Sequence, residues 1–450
     1  MKSRLLIAMS VFCLIAALGV SIPLCAQQGH SQGPSYYKVI DLGTLGGTAS
    51  SGNTINNLGW VMGSSNKTGD AIQLATLWLY GLQIPLGTLG GPSSDIGWPV
   101  KNNFGLIAGV SENGTPDPQN ESFSCPVFGL VSGNSCVAFA WQFGRMTQLP
   151  GLGGNNSIGA GDNDLGQIVG WAENKTEDPT CNGGQIYQFE AVVWNRSDGK
   201  WKVRQLPPYG ADPDSAATAI NGLGQVVGIS GRCGDAIGAY SAIHPLLWQD
   251  GKPIDLGNLG GSGWNTPTAI NNLGVVVGFA NGPNDVINGK LQIRFLAFRW
   301  TKEGGMVSLG TLPGLNGTPD AMSEATDVND EDQVVGVSYQ DFGFDGPRAF
   351  VYQNGMMTDL NELIPKSANL YLSSTGGINN RGEIAAQANV VSNGLVTSVL
   401  HAVLLVPTFD RGDAATVSGD APKVTIPADV LQQMKRRIGN GRFIAPGKPE

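Results

Sequence analysis

Ile55-Asn56-Asn57-Leu58-Gly59-Trp60-Val61-Met62-Gly63, followed after an insert by Leu74-Ala75-Thr76-Leu77-Trp78, decides the fold, because versions of this pair recur down the whole chain. Aligning on the first Asn of Asn-x-x-Gly gives Asn56, Asn102, Asn163, Asn221, Asn271, Asn329 and Asn379, spaced by 46, 61, 58, 50, 58 and 50 residues. Each turn runs into an apolar dipeptide closed by Gly, from Val61-Met62-Gly63 to Val334-Val335-Gly336; the seventh copy degrades to Ile384-Ala385-Ala386. In copy six the turn Gly is replaced by Asp332.

The second half of each unit is a short run with Ala usually second and an aromatic last, ending in Trp78, Trp141, Trp194, Trp248, Trp300 and Tyr352; the seventh, His401 to Leu405, ends in Leu. A polar turn then leads to Asp-Leu-Gly-x-Leu-Gly-Gly or a relative, as at Asp41 to Gly47 and Asp255 to Gly261. Short Val- and Ile-rich runs punctuated by Asn and Gly read as strands joined by tight hairpins, because Asn and Gly supply the positive φ such turns need. The repeated Asn is therefore read as a turn residue, not a ligand.

Each unit offers four strands, and four antiparallel strands at this period are the arithmetic of a β-propeller blade. The expectation is an all-β, seven-bladed β-propeller of four-stranded antiparallel blades over residues 37–407. Tyr37 to Leu42 is a fourth-type strand with no blade in front of it, and copy seven stops after its third strand near Pro407. The last blade is therefore expected to be closed by the N-terminal strand, which leaves no unpaired edge.

The combination of Asp-Leu-Gly-Thr-Leu-Gly-Gly, Ile-Asn-x-x-Gly-x-Val-Val-Gly and His-Ala-Phe-x-Trp resembles the bacterial extracellular HAF-repeat family. The resemblance implies a secreted repeat protein and no particular reaction. The name-giving His is present as His401 and, before Pro245, as His244; Leu, Val, Glu or Arg stands there in the other copies, which argues against a shared catalytic histidine.

Lys2 and Arg4, the apolar run Leu5 to Leu18 and Leu24-Cys25-Ala26 read as a secretory signal peptide, residues 1–26, cleaved after Ala26. Residues 27–36 are expected to be a disordered leader and 408–450 a flexible tail with a short helix near 427–438, docking of that helix being the alternative. Export places the protein in the periplasm or outside the cell. No other apolar run approaches the about 20 residues of a membrane span. The remaining cysteines, Cys125, Cys136, Cys181 and Cys233, are read as disulfides, with a local bridge within one insert and a second between the inserts of copies three and four. A zinc site of four thiolates is the alternative, weakened by the lack of Cys-x-x-Cys spacing.

Net charge is −9, and no basic stripe interleaved with aromatics is present, so nucleic acid is excluded as a partner and a monomer is expected. The variable inserts between second and third strands, Ser111 to Cys136, Trp171 to Phe189, Ser230 to Ile243, Ala280 to Arg294 and Ser338 to Pro347, share a face with the blade-linking loops. Long variable loops on a rigid ring are where binding sites are mounted. Candidate ligand-binding aromatics there are Trp98, Phe123, Trp171, Tyr187, Tyr209, Tyr240, Trp264, Tyr339 and Phe342, with Phe128 and Phe344 beside them; aromatics among Asn, Asp and Gln suit sugar rings. The alternative is that these rings pack their own loops.

Loop acids including Glu112, Asp117, Glu121, Glu173 and Asp178 could supply a glycosidase pair, but no spacing selects one. No calcium loop, phosphate loop or dinucleotide fingerprint is present, and His30, His244 and His401 are too few and too scattered for a triad. No cofactor, metal or catalytic residue is assigned. The reading is a secreted binding or interaction scaffold, with polysaccharide or another extracellular protein as partner; the alternatives are an extracellular glycan hydrolase or lyase and a purely structural surface or matrix protein.

Overall fold

The computed structural model describes residues 36–121, 125, 128–181, 185–233, 243–261, 263, 265–283, 286–287, 290–291, 294–314, 319–341, 343, 345–409 and 424–439. The signal peptide and nearly all of the leader lie outside these residues. The chain is all-β and β-propeller-like, built of four-stranded antiparallel sheets formed by consecutive stretches of sequence. Five such sheets run from Ser94 to Asp359; an eight-stranded sheet joins the first copy to the last through one parallel bridge, Ala49 to Leu400.

The clasp expected from the sequence forms. Tyr36–Gly43 pairs antiparallel with Leu395–Thr408, from Tyr36 opposite Thr408 to Asp41 opposite Val403. Tyr37 is buried against Leu363, Ile364 and Leu405, which seats the strand in the core.

The repeated asparagines are structural. Each Asn side-chain amide donates to the main-chain carbonyl of the next Asn. The links are Asn56 to Asn102 at 3.0 Å, Asn102 to Asn163 at 2.7 Å, Asn163 to Asn221 at 2.9 Å and Asn221 to Asn271 at 3.0 Å. They continue from Asn271 to Asn329 at 2.9 Å, Asn329 to Asn379 at 3.0 Å, and Asn379 back to Asn56 at 3.1 Å. The same side chain's Oδ1 accepts the N–H groups two and four residues on, as from Leu273 at 3.0 Å and Val275 at 2.9 Å onto Asn271. One side chain thus folds its own turn and fastens it to its neighbour.

A second circle runs through the next residue of each turn. The Asn57 N–H donates to Asn103 Oδ1, Asn103 to Asp164, Gly222 to Asn272, Asn272 to Asp330, Asp330 to Asn380 and Asn380 to Asn57. The chain of bonds breaks at Gly222, which has no side chain to accept from Asp164.

Two glycine positions follow from this geometry. The turn Gly adopts positive φ, 73° to 82° in six copies, and Asp332 takes the same left-handed conformation at 61°, with the Arg299 guanidinium on its carboxylate at 2.8 and 2.9 Å. The Gly that closes Val-Val-Gly lies against the bulged inner strand: a Cβ at Gly170 would sit 1.9 Å from the Ile158 carbonyl, and at Gly228 2.0 Å from that of Ala216. Only hydrogen fits there.

The tail departs from expectation. Its helix, Ala428–Gly439, is not loose: Val430 and Met434 are buried with Val396, and Tyr371 and Val391 pack beside them. Thr425 bridges Leu395 at the hairpin tip, ahead of the helix.

Candidate functional site

The inserts of copies two to four are tied together by devices unlike those of the turns. Cys125 bonds to Cys136 within one insert, and Cys181 to Cys233 joins two inserts, as expected. Carboxyl groups from different inserts also meet inside. Gln185 Nε2 donates to Glu121 at 3.2 Å and to Glu173 at 3.1 Å, while the Ile186 and Tyr187 N–H groups donate to Glu121 at 3.0 and 2.7 Å.

Burial, and then the neighbouring Glu121 charge, push Glu173 up to about 7, and burial likewise raises Glu121. The two share a hydrogen bond, as do Asp178 and Asp214. Asp214 is pushed up to about 9 by burial and by Asp178; Asp178, despite desolvation, is held low by the hydrogen bond from Asp214. Within each pair, burial and the neighbouring carboxyl group favour the protonated form of Glu173 and of Asp214. Glu121 and Glu173, 2% and 1% exposed, are buried within the insert packing.

A pocket of about 160 Å³ opens on the insert side, where the first copy meets the second and the last. Ala49, Ser50, Ser51 and Asn53 enter it from the inner strand Gly46–Ile55, Ser64 and Asn66 from the next strand, and Gln73 from the third. Asp95 comes from the second copy, Phe128 and Gly129 from its insert, and Gln387 and Leu400 from the last copy. The polar groups are held in place: Asn53 Nδ2 donates to the Ile96 carbonyl at 2.8 Å, and Gln387 Nε2 donates to Asn53 Oδ1 at 3.0 Å. Asp95 is pushed up to about 7 by burial, against the pull of hydrogen bonds from Ser64, the Ile96 N–H and Gln73.

At the turn end the interior is spanned by a cation. Lys101 Nζ ion-pairs with buried Asp327, from the sixth copy, and donates to the Ile378 carbonyl at 2.9 Å. Burial raises Asp327 and the ammonium opposes it. Asp162, pushed up to about 7 by burial, accepts the Lys101 and Asn102 N–H groups at 2.7 and 2.8 Å.

Of the nine aromatics expected to face a ligand, Trp98, Trp171 and Tyr339 are 4%, 1% and 0% exposed and pack the core. Trp98 and Trp171 join Phe128, Phe189 and Ile158 in one apolar cluster, and the Tyr339 hydroxyl donates to Glu324 at 2.5 Å. The insert rings turn inward because a long loop must bury apolar surface of its own. Tyr187 is half-buried, its hydroxyl accepting from Gln119 at 2.9 Å; Tyr209 is exposed, its ring 4.7 Å from that of His244. Phe123, Tyr240, Trp264 and Phe342 lie outside the described residues. None of the five described ones lines the pocket.

Apart from Phe128 and its neighbour Gly129 in the insert, the pocket residues were missed because they sit on strands, within the repeat.

The histidines interlock strands. His401 Nδ1 bonds to Asp41 of the clasp at 2.8 Å, and His244 Nδ1 to Asp212 at 2.7 Å. Arg348, at the equivalent position, donates to Asp320 at 2.8 Å and Asp359 at 3.1 Å.

No family model matches the chain, and no curated protein does. Among solved structures it is similar to a protein of Thermus thermophilus described as an oxidoreductase (glucose dehydrogenase), at 10% identity and a TM-score of 0.29, over 82% of this chain and 100% of that one. No helix among the described residues is long and apolar enough to cross a membrane.

Proposed function

We propose that the protein is an exported, seven-bladed β-propeller of the HAF-repeat kind that binds a small polyhydroxylated molecule, a sugar unit, in the pocket between its first, second and last blades. The observation that carries the binding reading is the lining: hydroxyls of Ser50, Ser51 and Ser64, amides of Asn53, Asn66, Gln73 and Gln387, and one apolar ring, Phe128. Fixed amides and hydroxyls offer donors and acceptors in the alternating pattern that sugar hydroxyls present, and held side chains lose little entropy on binding. The space equals roughly five waters at about 30 Å³ each, the scale of one sugar ring.

The blade count is supported by the cyclic order of the seven asparagines, and export by two disulfides. Among the described residues the lining contains a single carboxyl, Asp95, whereas glycoside hydrolysis ordinarily needs two flanking the bond. That favours binding over turnover.

The test is a glycan array followed by calorimetry on the glycans retained, with Gln387→Ala and Asp95→Asn as variants. The reading expects binding that weakens about tenfold in either variant, the value of one hydrogen bond to a held polar group. Binding that both variants leave untouched would place the ligand elsewhere, and product formation in the wild type would replace a lectin-like role with an enzymatic one.

A further inference from the structure

The turn face presents a band of apolar side chains that the fold does not use. The third residue of each Asn-x-x-Gly turn has its N–H held by the Asn Oδ1, which fixes the residue at the tip of the turn. Around the hydrogen-bonded circle this position reads Leu58, Phe104, Leu165, Leu223, Leu273, Glu331, Arg381. The five apolar residues are 41%, 66%, 66%, 71% and 72% exposed. Phe143, 81% exposed, widens the band, since its ring lies over Gly105 beside Phe104. A tight polar turn gains nothing from Leu or Phe at its tip, and contiguous exposed apolar surface marks an interaction face.

We infer that this face pairs with the same face of a second copy of the chain. The order of residues around the circle selects that occupant. A two-fold axis lying in the face and passing between copies six and seven sets copy six opposite seven, five opposite one, four opposite two, and three opposite itself. Leu273 then meets Leu58, Leu223 meets Phe104, and Leu165 meets its own equivalent. The one acid, Glu331, meets the one base, Arg381, twice. A different axis would set charge against leucine. Asp164 and Asp330 already accept from Asn103 and Asn272, so their carboxylates are engaged within the ring; Arg381 also reaches Glu383 at 2.5 Å and the Asn57 carbonyl, but half of its side chain stays exposed to a partner. With a net charge of −9 the chain is poorly suited to an anionic bilayer surface. The inference rests on the order of the hydrogen-bonded circle and is independent of the pocket.

Sedimentation of the Gln27–Glu450 chain across a concentration series tests it, with melting temperatures recorded to show that each variant folds. A dimer is expected in the wild type. Glu331→Arg and Arg381→Glu each place like charges opposite one another and weaken association roughly tenfold or more, and the double reversal restores it. Leu223→Lys abolishes it. A monomer at every concentration overturns the inference, as does a dimer that ignores all four variants. Co-sedimentation of a monomer with neutral phosphatidylcholine vesicles overturns it in favour of a bilayer.

Discussion

The two faces of the ring are fastened by different chemistry. On the turn face a single residue type repeats one arrangement seven times: each Asn makes a side-chain bond to its neighbour's carbonyl at 2.7 to 3.1 Å. On the insert face the long loops do not repeat, although beneath them Ser50, Ser94, Ser157, Ser215 and Ser323 each accept the N–H of an Ala in the neighbouring copy. Two disulfides, two buried carboxyl pairs and a core of Trp and Phe hold loops of unequal length. The first arrangement needs every copy to be alike; the second lets each copy differ, which is what a binding face requires.

The largest effect is expected where the insert face is covalent. Replacing both Cys181 and Cys233 with Ser opens a loop closed over 52 residues of separation. The chain-entropy estimate for such a loop is about 4 kcal/mol. Urea unfolding should show the loss, and hydrogen exchange should show it locally, with amides of residues 171–189 exposed and those of the Asn turns still protected. Equal loss of protection on both faces would mean that they are one cooperative unit and that the contrast drawn between them is false.

Next comes the turn face itself. Asn271→Ala removes the 2.9 Å bond to the Asn329 carbonyl and the acceptor for the half-buried Leu273 and buried Val275 N–H groups. Losing one hydrogen bond and leaving buried groups unpaired amounts to roughly 3 kcal/mol. Asn271→Asp keeps the acceptor and loses only the donor, so it should cost less by chemical denaturation. If Asp is as damaging as Ala, the neighbour bond dominates; if Asp is nearly neutral, the turn dominates.

Legibility in the sequence followed the same division. The turns were readable because an Asn that must donate to its neighbour and accept twice within its own turn cannot vary, and because Gly170 or Gly228 admits no Cβ. Even Asp332 was visible as a departure, though not that it would hold the left-handed conformation of the Gly it replaces. The four cysteines were readable by parity and position. The insert aromatics misled: Trp98, Trp171 and Tyr339 look like ligand platforms in a loop-rich face, yet loops of that length bury their own rings. The pocket was not legible, since Asn53, Asp95 and Gln387 come from the first, second and last copies, and each alone is an ordinary polar residue on a strand. Nor does any local pattern announce that Glu121 and Glu173, 52 residues apart, share a hydrogen bond.

The smallest effect at any one pH, but the most diagnostic as a slope, comes from those buried acids. Glu173 at about 7 and Asp214 at about 9 lie above the ordinary carboxylate range, chiefly through burial. An acid with a raised folded pKa binds its proton more tightly in the native state than in the unfolded chain. Between the ordinary values near 4 and those raised values, the native state therefore carries the extra protons, and stability falls as pH rises. The contribution is fully present below about pH 4 and is eroded up to about pH 9 for the Asp178–Asp214 pair. Melting temperatures should be higher near pH 5 than near pH 8.5, the reverse of a protein held by salt-bridged carboxylates. Glu173→Gln removes one titrating member while its amide still reaches Glu121, so it should flatten the slope without lowering stability near pH 8.5. If the slope is unchanged in that variant but flattens in Asp214→Asn, the proton that matters lies between insert three and the inner strand of copy four, and not between inserts two and three.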